Sequence, residues 1–442
     1  MSPDAIRFFA ATDVGNVREH NEDNFLVDKK LSLFMVADGM GGHAAGEVAS
    51  AIAVRTIHEE IKRERDMLAD FMSGARGASR VTKADILLLM EHAVQRACSR
   101  IHEEAQDDSA KRGMGTTVSA LLVLGTLGFI AHVGDSRIYM HRGGTVQQVT
   151  EDHTVFNELI KRGRLTPEQI EKVGHKNAIT RAVGVYERVD VDTLSIEVVP
   201  GDQFVLATDG LTGYLEGSDE LLPFLEHDGD TATKGLVELA KQRGGKDNIT
   251  VVNVRLSGEA ADDERAQRLA LKREVLQRMP LFARLGEREL LRVMQAVEVR
   301  AYEDGQTVIR EGDRGDELFI VLTGKVSVLR GGETLTRLGA GEHFGEMALI
   351  RAVPRSATVT ADGYAELIVI RRQDFFEILR TEHEIAVKML WQFLGVLADR
   401  LDQTSSELRD AKSELSAEDI TDDVTIEIFP GLADGDRVTP IG

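Results

Sequence analysis

The stretch Val36-Ala37-Asp38-Gly39-Met40-Gly41-Gly42-His43 ends the apolar run Leu31 to Ala37 with a carboxylate followed by glycine. An acid stands beside Gly, Asn or Ser at the end of a strand pattern in four further places: Asn21-Glu22-Asp23, Gly134-Asp135-Ser136-Arg137, Thr208-Asp209-Gly210 and Asp247-Asn248. Each alone is an ordinary turn former, but separate turns do not require an acid at every strand end. Converging carboxylates suit hard divalent cations such as Mg²⁺ or Mn²⁺, and such a site activates water against a phosphate ester.

Length and charge limit the alternatives. A chain of 442 residues, with 42% apolar and 29% charged residues, is typical of a soluble protein of two or three domains. Its net charge of −21 argues against nucleic acid and against an anionic membrane as partners. Acid-rich composition also serves plain solubility, which accounts for most of the excess.

The single cysteine, Cys98, excludes an intrachain disulfide and lies in a helical stretch, so we expect a core residue rather than a catalytic thiol. The first residues, Met1 to Asp4, lack a signal-peptide pattern. The apolar run Val118 to His132 is interrupted by Gly125 and Gly128, which favours two buried strands over a membrane span. These features predict a cytoplasmic location.

Residues 5–256 alternate strand-like and helix-like segments, with helices predicted over Gly46 to Arg65 and Asp85 to Gln106 and a loop over 73–84. Early hairpins flanked by helices predict an α+β layered sandwich rather than a parallel sheet. A charged, proline-free stretch over 257–279 is predicted to be a helical linker.

After Arg300 short strand patterns alternate with glycine-rich turns, which predicts a small β-barrel or jelly roll within a second domain at 280–402. Residues 384–415 return to a helical pattern with leucines near a heptad frame. Residues 403–442 are expected to hold the helix end and an acidic mobile tail.

Several ordered motifs resemble those of bacterial metal-dependent protein phosphatases of the PPM, or type 2C, family. They are Asp13 to Asp23, Val36 to His43, Gly115 to Thr117, His132 to Arg137, Ile179 to Gly184, Thr208 to Leu211 and Lys246 to Thr250. The resemblance covers about residues 5–256 and implies an α-β-β-α sandwich with two Mn²⁺ or Mg²⁺ ions between the sheets and a third, weaker site.

The resemblance assigns roles residue by residue. It implies the metal ligands Glu22, Asp23, Asp38, Gly39, Asp135, Asp209 and Asp247. Asp38 would bridge the two ions with help from the Gly39 carbonyl, and Asp135 would belong to the third site. Arg18 would clamp the phosphate, because a guanidinium fork grips two oxygens. His132 and His153 are expected to make local hydrogen bonds, since hard cations prefer oxygen.

One departure concerns the proton donor. Eukaryotic relatives carry His directly after the bridging Asp-Gly, and this chain has Met40 there. His43 stands close in sequence, so the general acid stays unassigned. Residues 153–178 match the family's mobile flap.

A second group of motifs lies in the C-terminal half: Phe344 to Leu349, followed by Val353 to Val359. It resembles the phosphate-binding cassette of cyclic-nucleotide-binding domains. The resemblance implies a cyclic-nucleotide pocket formed by Gly345, Glu346, Met347, Ala348, Arg355 and Ser356. Glu346 would contact ribose and Arg355 the cyclic phosphate. Ser356 leaves cAMP and cGMP as alternatives.

The combined prediction is a serine/threonine protein phosphatase that uses a metal-activated water, acts on kinase-phosphorylated proteins and is regulated by cAMP or cGMP. Nucleotide binding would order residues 344–358, move the helix from 384 onward and reach the catalytic region through 257–279. That helix, over 384–411, suits either a lid or a homodimer seam. We expect Trp391 to pack in a helix face or to cap the base. The alternative function is a nucleotide-sensing scaffold with an inactive or highly selective phosphatase fold.

Overall fold

The computed structural model describes residues 5–41, 44–73, 81–161, 169, 178–257, 263–351 and 353–421. Within these residues, the first half of the chain forms two five-stranded antiparallel sheets that face each other. The first sheet has the order β1 (Ile6–Asp13), β12 (Ile249–Leu256), β11 (Gln203–Ala207), β8 (Arg137–Arg142) and β9 (Thr145–Gln148). The second has the order β10 (Asp192–Glu197), β7 (Leu127–Val133), β6 (Val118–Leu124), β3 (Leu33–Ala37) and β2 (Asn24–Asp28). A short ribbon pairs β4 (Gly39–Met40) with β5 (Gly115–Thr116).

Strand β3 shows why its apolar run is continuous rather than alternating. All five residues are buried, and Phe34 and Val36 point into the core between the sheets. Leu33 and Met35 point the other way, against the helices. Because successive side chains of a strand leave opposite faces, a strand covered on both sides needs an unbroken apolar sequence.

Helices cover the outer faces of both sheets and complete an α-β-β-α sandwich, as predicted. The second sheet is covered by α1 (Ala44–Arg63), α2 (Arg65–Ser73) and α3 (Lys83–Asp107). The first sheet is covered by α7 (Gly229–Gln242), and three short helices lie in the connections: α4 (Val155–Lys161), α5 (Asp209–Thr212) and α6 (Leu222–Leu225). Cys98 is buried in α3 and donates to the Tyr186 carbonyl, so it is the core residue expected.

The C-terminal half contains two four-stranded sheets, consistent with the predicted jelly roll, although they form no single closed barrel. One sheet has the order β13 (Val297–Tyr302), β20 (Ala365–Arg371), β15 (Glu317–Thr323) and β18 (His343–Phe344). The other has the order β14 (Thr307–Ile309), β19 (Thr358–Ala361), β16 (Val326–Arg330) and β17 (Glu333–Leu338). The flanking helices are α8 (Asp263–Arg278), α9 (Glu287–Gln295), α10 (Met347–Ile350), α11 (Arg372–Thr381) and α12 (His383–Thr421).

Helices α8 and α9 join the two halves through a shared apolar core. Leu276 and Leu290 belong to the same buried cluster as Phe204 of the sandwich and Ile320 of the C-terminal sheets. The buried Lys272 ammonium donates to the carbonyls of Met294 and Val297, which closes the C-terminal end of α9. Apolar packing therefore joins the two halves, and the Lys272 hydrogen bonds hold α8 to the end of α9.

Helix α12 presents apolar side chains to solvent. Trp391 is 67% exposed, so neither its expected packing in a helix face nor a role in capping a base is seen. The predicted loop over 73–84 begins one residue too early, because α2 extends to Ser73, and residues 74–80 lie outside the described residues. Among the helices that the structure describes, none is long and apolar enough to cross a bilayer.

Candidate active site and nucleotide pocket

The predicted acids meet at one end of the sandwich, between the two sheets. Asp38 follows β3, Asp209 follows β11 and Asp135 follows β7. Asp23 directly precedes β2, and Asp247 lies two residues before β12. Antiparallel neighbours present alternate strand ends to the same edge, so these loops lie together although their residues are distant in sequence. The charge of each acid acts on at least one other in the group.

Backbone contact between the loops is close. A Cβ atom added to Gly39 would lie 2.1 Å from the Gly46 carbonyl oxygen and 2.5 Å from that of Glu22. Glycine is therefore required where β4 passes between the Glu22 loop and the start of α1. The Gly39 amide also donates to the Glu22 carbonyl over 3.2 Å, so the two predicted ligand loops are joined.

Threonine and serine hydroxyls orient two of the acids. The Asp38 amide donates to Thr117 Oγ1 over 2.9 Å, and Thr117 Oγ1 is 2.7 Å from Ser136 Oγ, beside Asp135. Thr208 Oγ1 donates to Asp23 Oδ2 over 2.8 Å. These positioning hydroxyls were not singled out from the sequence, where the only signal was their place within the quoted motifs.

Asn248 ties three loops together and was also missed as a site residue. Its Oδ1 accepts from the Glu22 amide, and its Nδ2 donates to the Val14 and His20 carbonyls. Its side chain is buried and its hydrogen bonds fix the segment that carries Glu22 relative to Asp247. An asparagine next to a predicted ligand was the available signal.

The electrostatics of the cluster disfavour its charged state. Burial, together with the charge of Asp209, raises the pKa of both Asp23 and Asp135 to about 7. Loss of solvation and the charges of Asp23 and Asp209 raise the pKa of Asp38 well above its usual range, and Asp38 shares a hydrogen bond with Asp209. Burial likewise raises the pKa of Glu22. A positive charge among these carboxylates would reverse every one of these shifts.

Three buried carboxylate oxygens are suited to bind a cation. Asp23 Oδ1, Asp135 Oδ1 and Asp209 Oδ1 are buried and have no hydrogen-bond partner. A buried polar atom without a partner carries a free-energy cost that a coordinated cation would remove. Across the described ranges, no three His, Cys, Asp or Glu side chains already have a metal-binding arrangement. Instead, Asp38 pairs with Asp209, and Asp247 pairs with Arg18.

Arg18 lies at the mouth of this cluster. Its Nη2 atom is 2.7 Å from Asp247 Oδ2, and its side chain is 50% exposed. The guanidinium has five N–H donors, and the Asp247 contact leaves donors directed to solvent. Its charge also acts on Glu22 and Asp38. The side chain is thus both held by the acids and accessible to an anion.

The structure describes only some of the other residues predicted to matter near the acids. Met40 ends β4, whereas His43 lies outside the described residues. Of the flap over 153–178, the structure describes 153–161, 169 and 178. His132 Nε2 donates to the Glu151 carbonyl and its Nδ1 lies 2.9 Å from Ser119 Oγ, so its predicted local role is confirmed.

In the C-terminal half, Arg355 lies in the fold of the predicted cassette and is only 7% exposed. Its Nη2 donates to the Glu317 carbonyl over 2.9 Å, and its guanidinium lies 5.8 Å from the centre of the Phe319 ring. Burial lowers the pKa of Arg355, against the opposing charge of Glu317. An arginine held on backbone carbonyls rather than on a carboxylate can exchange those contacts for a phosphate.

Gly345 brings the cassette backbone against this guanidinium. It has φ +82°, and an added Cβ would lie 2.6 Å from Arg355 Nη1. Glu346 precedes the short helix α10, and its charge acts on Arg355. Met347 and Ala348 open that helix, and Ser356 is exposed next to Arg355. The structure thus places Gly345 and Glu346 beside the buried Arg355, with Met347 and Ala348 continuing the same segment and Ser356 following Arg355 in the chain.

Comparison with known proteins agrees with both halves. The protein phosphatase 2C family model matches residues 16–234, and the cyclic nucleotide-binding domain model matches residues 299–382. Protein phosphatase PhpP of Streptococcus pneumoniae is 36% identical over 257 residues, which are 57% of this chain and 98% of PhpP. The serine/threonine phosphatase stp of Listeria innocua is 35% identical over 248 residues, 55% of this chain and 93% of stp. The crystal structure of the Mycobacterium tuberculosis serine/threonine phosphatase PstP/Ppp is 33% identical with TM-score 0.49, covering 57% of this chain and 99% of that chain.

The family match and the α-β-β-α fold place this protein in the class of metal-dependent phosphatases. The chain belongs to the protein phosphatase 2C family of serine/threonine phosphatases, and it carries a C-terminal cyclic nucleotide-binding domain. Both predicted family resemblances are therefore confirmed.

Proposed function

We propose that this chain removes phosphate from phosphoserine and phosphothreonine in proteins, and that a cyclic nucleotide bound by its C-terminal domain regulates the reaction. The observation that carries the first half is the set of buried, unpartnered carboxylate oxygens on Asp23, Asp135 and Asp209 beside the accessible Arg18. Acids that raise one another's pKa, next to one cation, form a site for divalent metal and a phosphate ester.

The residues that would hold two Mn²⁺ or Mg²⁺ ions are Asp38, Gly39, Asp209 and Asp247, with Glu22 and Asp23 at ligand or water-accepting positions. Asp135 would serve a third, weaker ion. Such ions, when bound, supply a Lewis acid and lower the pKa of coordinated water. The chain's own contribution is orientation: Thr117 holds the Asp38 backbone and Thr208 holds the Asp23 carboxylate.

Arg18 would bind the phosphate monoester. Its guanidinium keeps one contact with Asp247 and offers its other donors to two phosphate oxygens. This contact would align the phosphorus atom with the acid cluster and exclude substrates without a dianionic group. Phosphorylated segments of proteins are the expected substrates, as for the serine/threonine phosphatases that this chain resembles.

Arg355 is the residue on which the proposed regulation by a cyclic nucleotide rests. A guanidinium that is nearly buried, backed by Phe319 and held only by carbonyl contacts, suits a cyclic phosphate monoanion. Gly345 would allow the phosphate to approach the backbone, and Glu346 would accept from the ribose hydroxyl. Ser356 keeps both cAMP and cGMP as candidates.

A single comparison tests both halves. Wild-type protein with Mn²⁺ should hydrolyse a phosphothreonine peptide, and saturating cAMP or cGMP should change that rate. Arg355→Gln removes the charge that would pair with phosphate, so nucleotide affinity measured by calorimetry should fall at least about 30-fold. The matched control is Arg330→Gln, at an exposed strand end, which should bind normally. An unchanged rate with demonstrably bound nucleotide would remove the regulatory half alone.

We also propose that helix α12 pairs with a second copy of this chain. Val387, Leu394, Leu401 and Leu408 follow one another at intervals of seven residues and are 56–70% exposed. Leu390 extends the same stripe and is also exposed. A strict seven-residue apolar repeat is the pattern of a coiled coil, in which each side chain inserts between residues of the partner helix.

The dimer has its own test. Light scattering after size-exclusion chromatography should give twice the chain mass for wild type. The double variant Leu394→Lys with Leu401→Lys should elute as a monomer, because two charges would face the seam. Ser406→Lys adds a charge on an exposed position of the same helix outside the stripe and should stay dimeric. A monomeric wild type at micromolar concentration would contradict the proposal.

A further inference from the structure

Helix α9 lies along the open edge of the second sheet. Strand β10 is the edge strand, and its Thr193 and Ser195 carbonyls accept hydrogen bonds from Arg292 and Gln295 of α9. An uncovered sheet edge exposes backbone N–H and C=O groups that can pair with another chain. Here α9, which precedes the C-terminal sheets, covers the edge at β10. The regulatory half therefore holds the catalytic sandwich by the backbone of a strand.

At the start of the same helix, Arg288 makes two ion pairs to the sandwich. Its Nη2 is 2.6 Å from Asp192 Oδ2, and its Nη1 is 3.1 Å from Glu151 Oε2. All three side chains are between one fifth and one third exposed, so water screens them only in part. Burial alone raises the pKa of Asp192, but the hydrogen bond from His153 and the Arg288 charge outweigh it and hold that pKa well below its usual value.

Asp192 in turn holds His153, which is almost fully buried. The distance from His153 Nε2 to Asp192 Oδ2 is 3.4 Å, and Arg181 contacts the other carboxylate oxygen over 3.1 Å. The Gly134 amide donates to His153 Nδ1 over 3.1 Å. Because Nδ1 accepts from this amide, a hydrogen on Nε2 can face Asp192 Oδ2, and Arg181 Nη1 lies 3.3 Å from the same nitrogen.

His153 fixes the backbone next to Asp135 from both sides. Its amide donates to the Gly134 carbonyl over 2.8 Å, and its carbonyl accepts from the Thr180 amide over 2.7 Å. Gly134 has φ +109° and packs against Thr117, so this turn has little freedom of its own. The ring of His153 thus sets the position from which the Asp135 carboxylate enters the acid cluster.

Helix α9 also contacts the junction between α11 and α12. Arg292 Nε is 3.0 Å from Glu382 Oε1, and Glu289 Oε2 is 2.7 Å from Lys388 Nζ. Glu382 is the residue between the two helices, and Lys388 lies in the second turn of α12. Any displacement of α12 at this junction must either move α9 or break these two pairs.

We propose that Arg288 is a positioning residue for the phosphatase site: through Asp192 and His153 it holds the Gly134–Asp135 turn, and it does so from a helix that is clamped to the α11–α12 junction. This inference rests on the proposed function, since the Asp135 turn matters only if the acids bind metal. In this proposal, nucleotide binding reaches the phosphatase site through the contacts of α9. The sequence alone had suggested only a route through residues 257–279.

The first test measures order and metal binding in the full-length protein, without relying on activity. Arg288→Gln should speed amide hydrogen exchange in peptides containing Gly134 and Thr180, and calorimetry should show the weakest Mn²⁺ site weakened about 10-fold. Arg288→Lys, which keeps the charge, should recover most of both effects. Arg278→Gln, on exposed α8 surface, is the matched control and should change neither.

The second test asks whether Arg288 acts through Asp192. Asp192→Asn alone should reproduce the Mn²⁺ shift, and the double variant Arg288→Gln with Asp192→Asn should add little to either single change. In activity assays the half-saturating Mn²⁺ concentration should rise more than kcat falls, and nucleotide should no longer alter the rate. Additive effects, or exchange at Gly134 no faster than in Arg278→Gln, would overturn the proposal. A wild type that binds Mn²⁺ but hydrolyses no phosphopeptide would refute the proposed function while leaving the exchange result to decide this inference.

Discussion

Asp38→Asn should lower Mn²⁺-dependent hydrolysis of a phosphothreonine peptide by about 100- to 1000-fold, since a bridging metal ligand supports several kcal/mol of transition-state charge stabilisation. The substitution removes one negative charge at the position where the most acids act on each other. Asparagine keeps the shape of the side chain, and the backbone contact from the Asp38 amide to Thr117 is unaffected. The effect should therefore fall on cation binding and rate rather than on folding.

A stability measurement separates these effects. In metal-free buffer near pH 7, Asp38→Asn should be at least as resistant to urea as wild type, because the amide can donate to Asp209 without requiring a proton from solvent. The matched control, Asp66→Asn, changes an almost fully exposed acid on α2 and should leave both rate and stability as they were. Residual activity above about one tenth of wild type would remove Asp38 from its proposed role.

Metal-free protein should lose stability from its acid cluster as the pH rises from about 4 to 7. Asp23 and Asp135 have folded-state pKa values of about 7, well above the ordinary value of 3.8 that holds in the unfolded chain. Between these values the folded state binds more protons than the unfolded state, so the free energy of unfolding falls with rising pH. The loss is about 1.4 kcal/mol for each such group and each pH unit crossed.

Other groups contribute with different signs, so the difference from a variant is the useful measurement. Burial lowers the pKa of His132 to about 3, which makes its contribution grow as the pH rises through the same range. Asp192, with its lowered pKa, contributes stability that is lost only below about pH 4. The free energy of unfolding in urea should be measured for wild type and for Asp135→Asn at each pH. The difference between the two gives the contribution of Asp135 to stability, which should fall steadily from pH 4 to pH 7.

Added Mn²⁺ should reverse this loss. Binding to the folded state alone stabilises it by about 2.7 kcal/mol at one hundred times the dissociation constant. Because cations compete with protons for the same oxygens, the gain should be larger at pH 7.5 than at pH 5. In Asp135→Asn the weakest site should be missing while stabilisation by the other ions persists. Equal Mn²⁺ stabilisation at both pH values would contradict cation binding by these acids.

Local patterns predicted several central strands and the two long helices of the sandwich. The apolar run ending at Ala37 is buried on both faces of β3, which is why no alternation was visible in it. Helices α1 and α3 were predicted within a few residues of their observed ends, whereas no element was predicted over most of α2. Its nine residues, from Arg65 to Ser73, are few for a helix that is stable alone. Leu68 is buried and Met67 and Phe71 pack against the same core, so the helix depends on tertiary packing.

The sequence by itself determined the family and led to the prediction of the acids, because a short motif states which residue stands at a strand end. Only the tertiary structure decided that Thr208 orients Asp23 and that Asn248 joins three loops. It alone also placed Arg288 on Asp192, which is 96 residues earlier in the chain and across the junction of the two halves. Such contacts depend on distance and direction between segments that are remote in the chain, and composition and spacing carry no record of either.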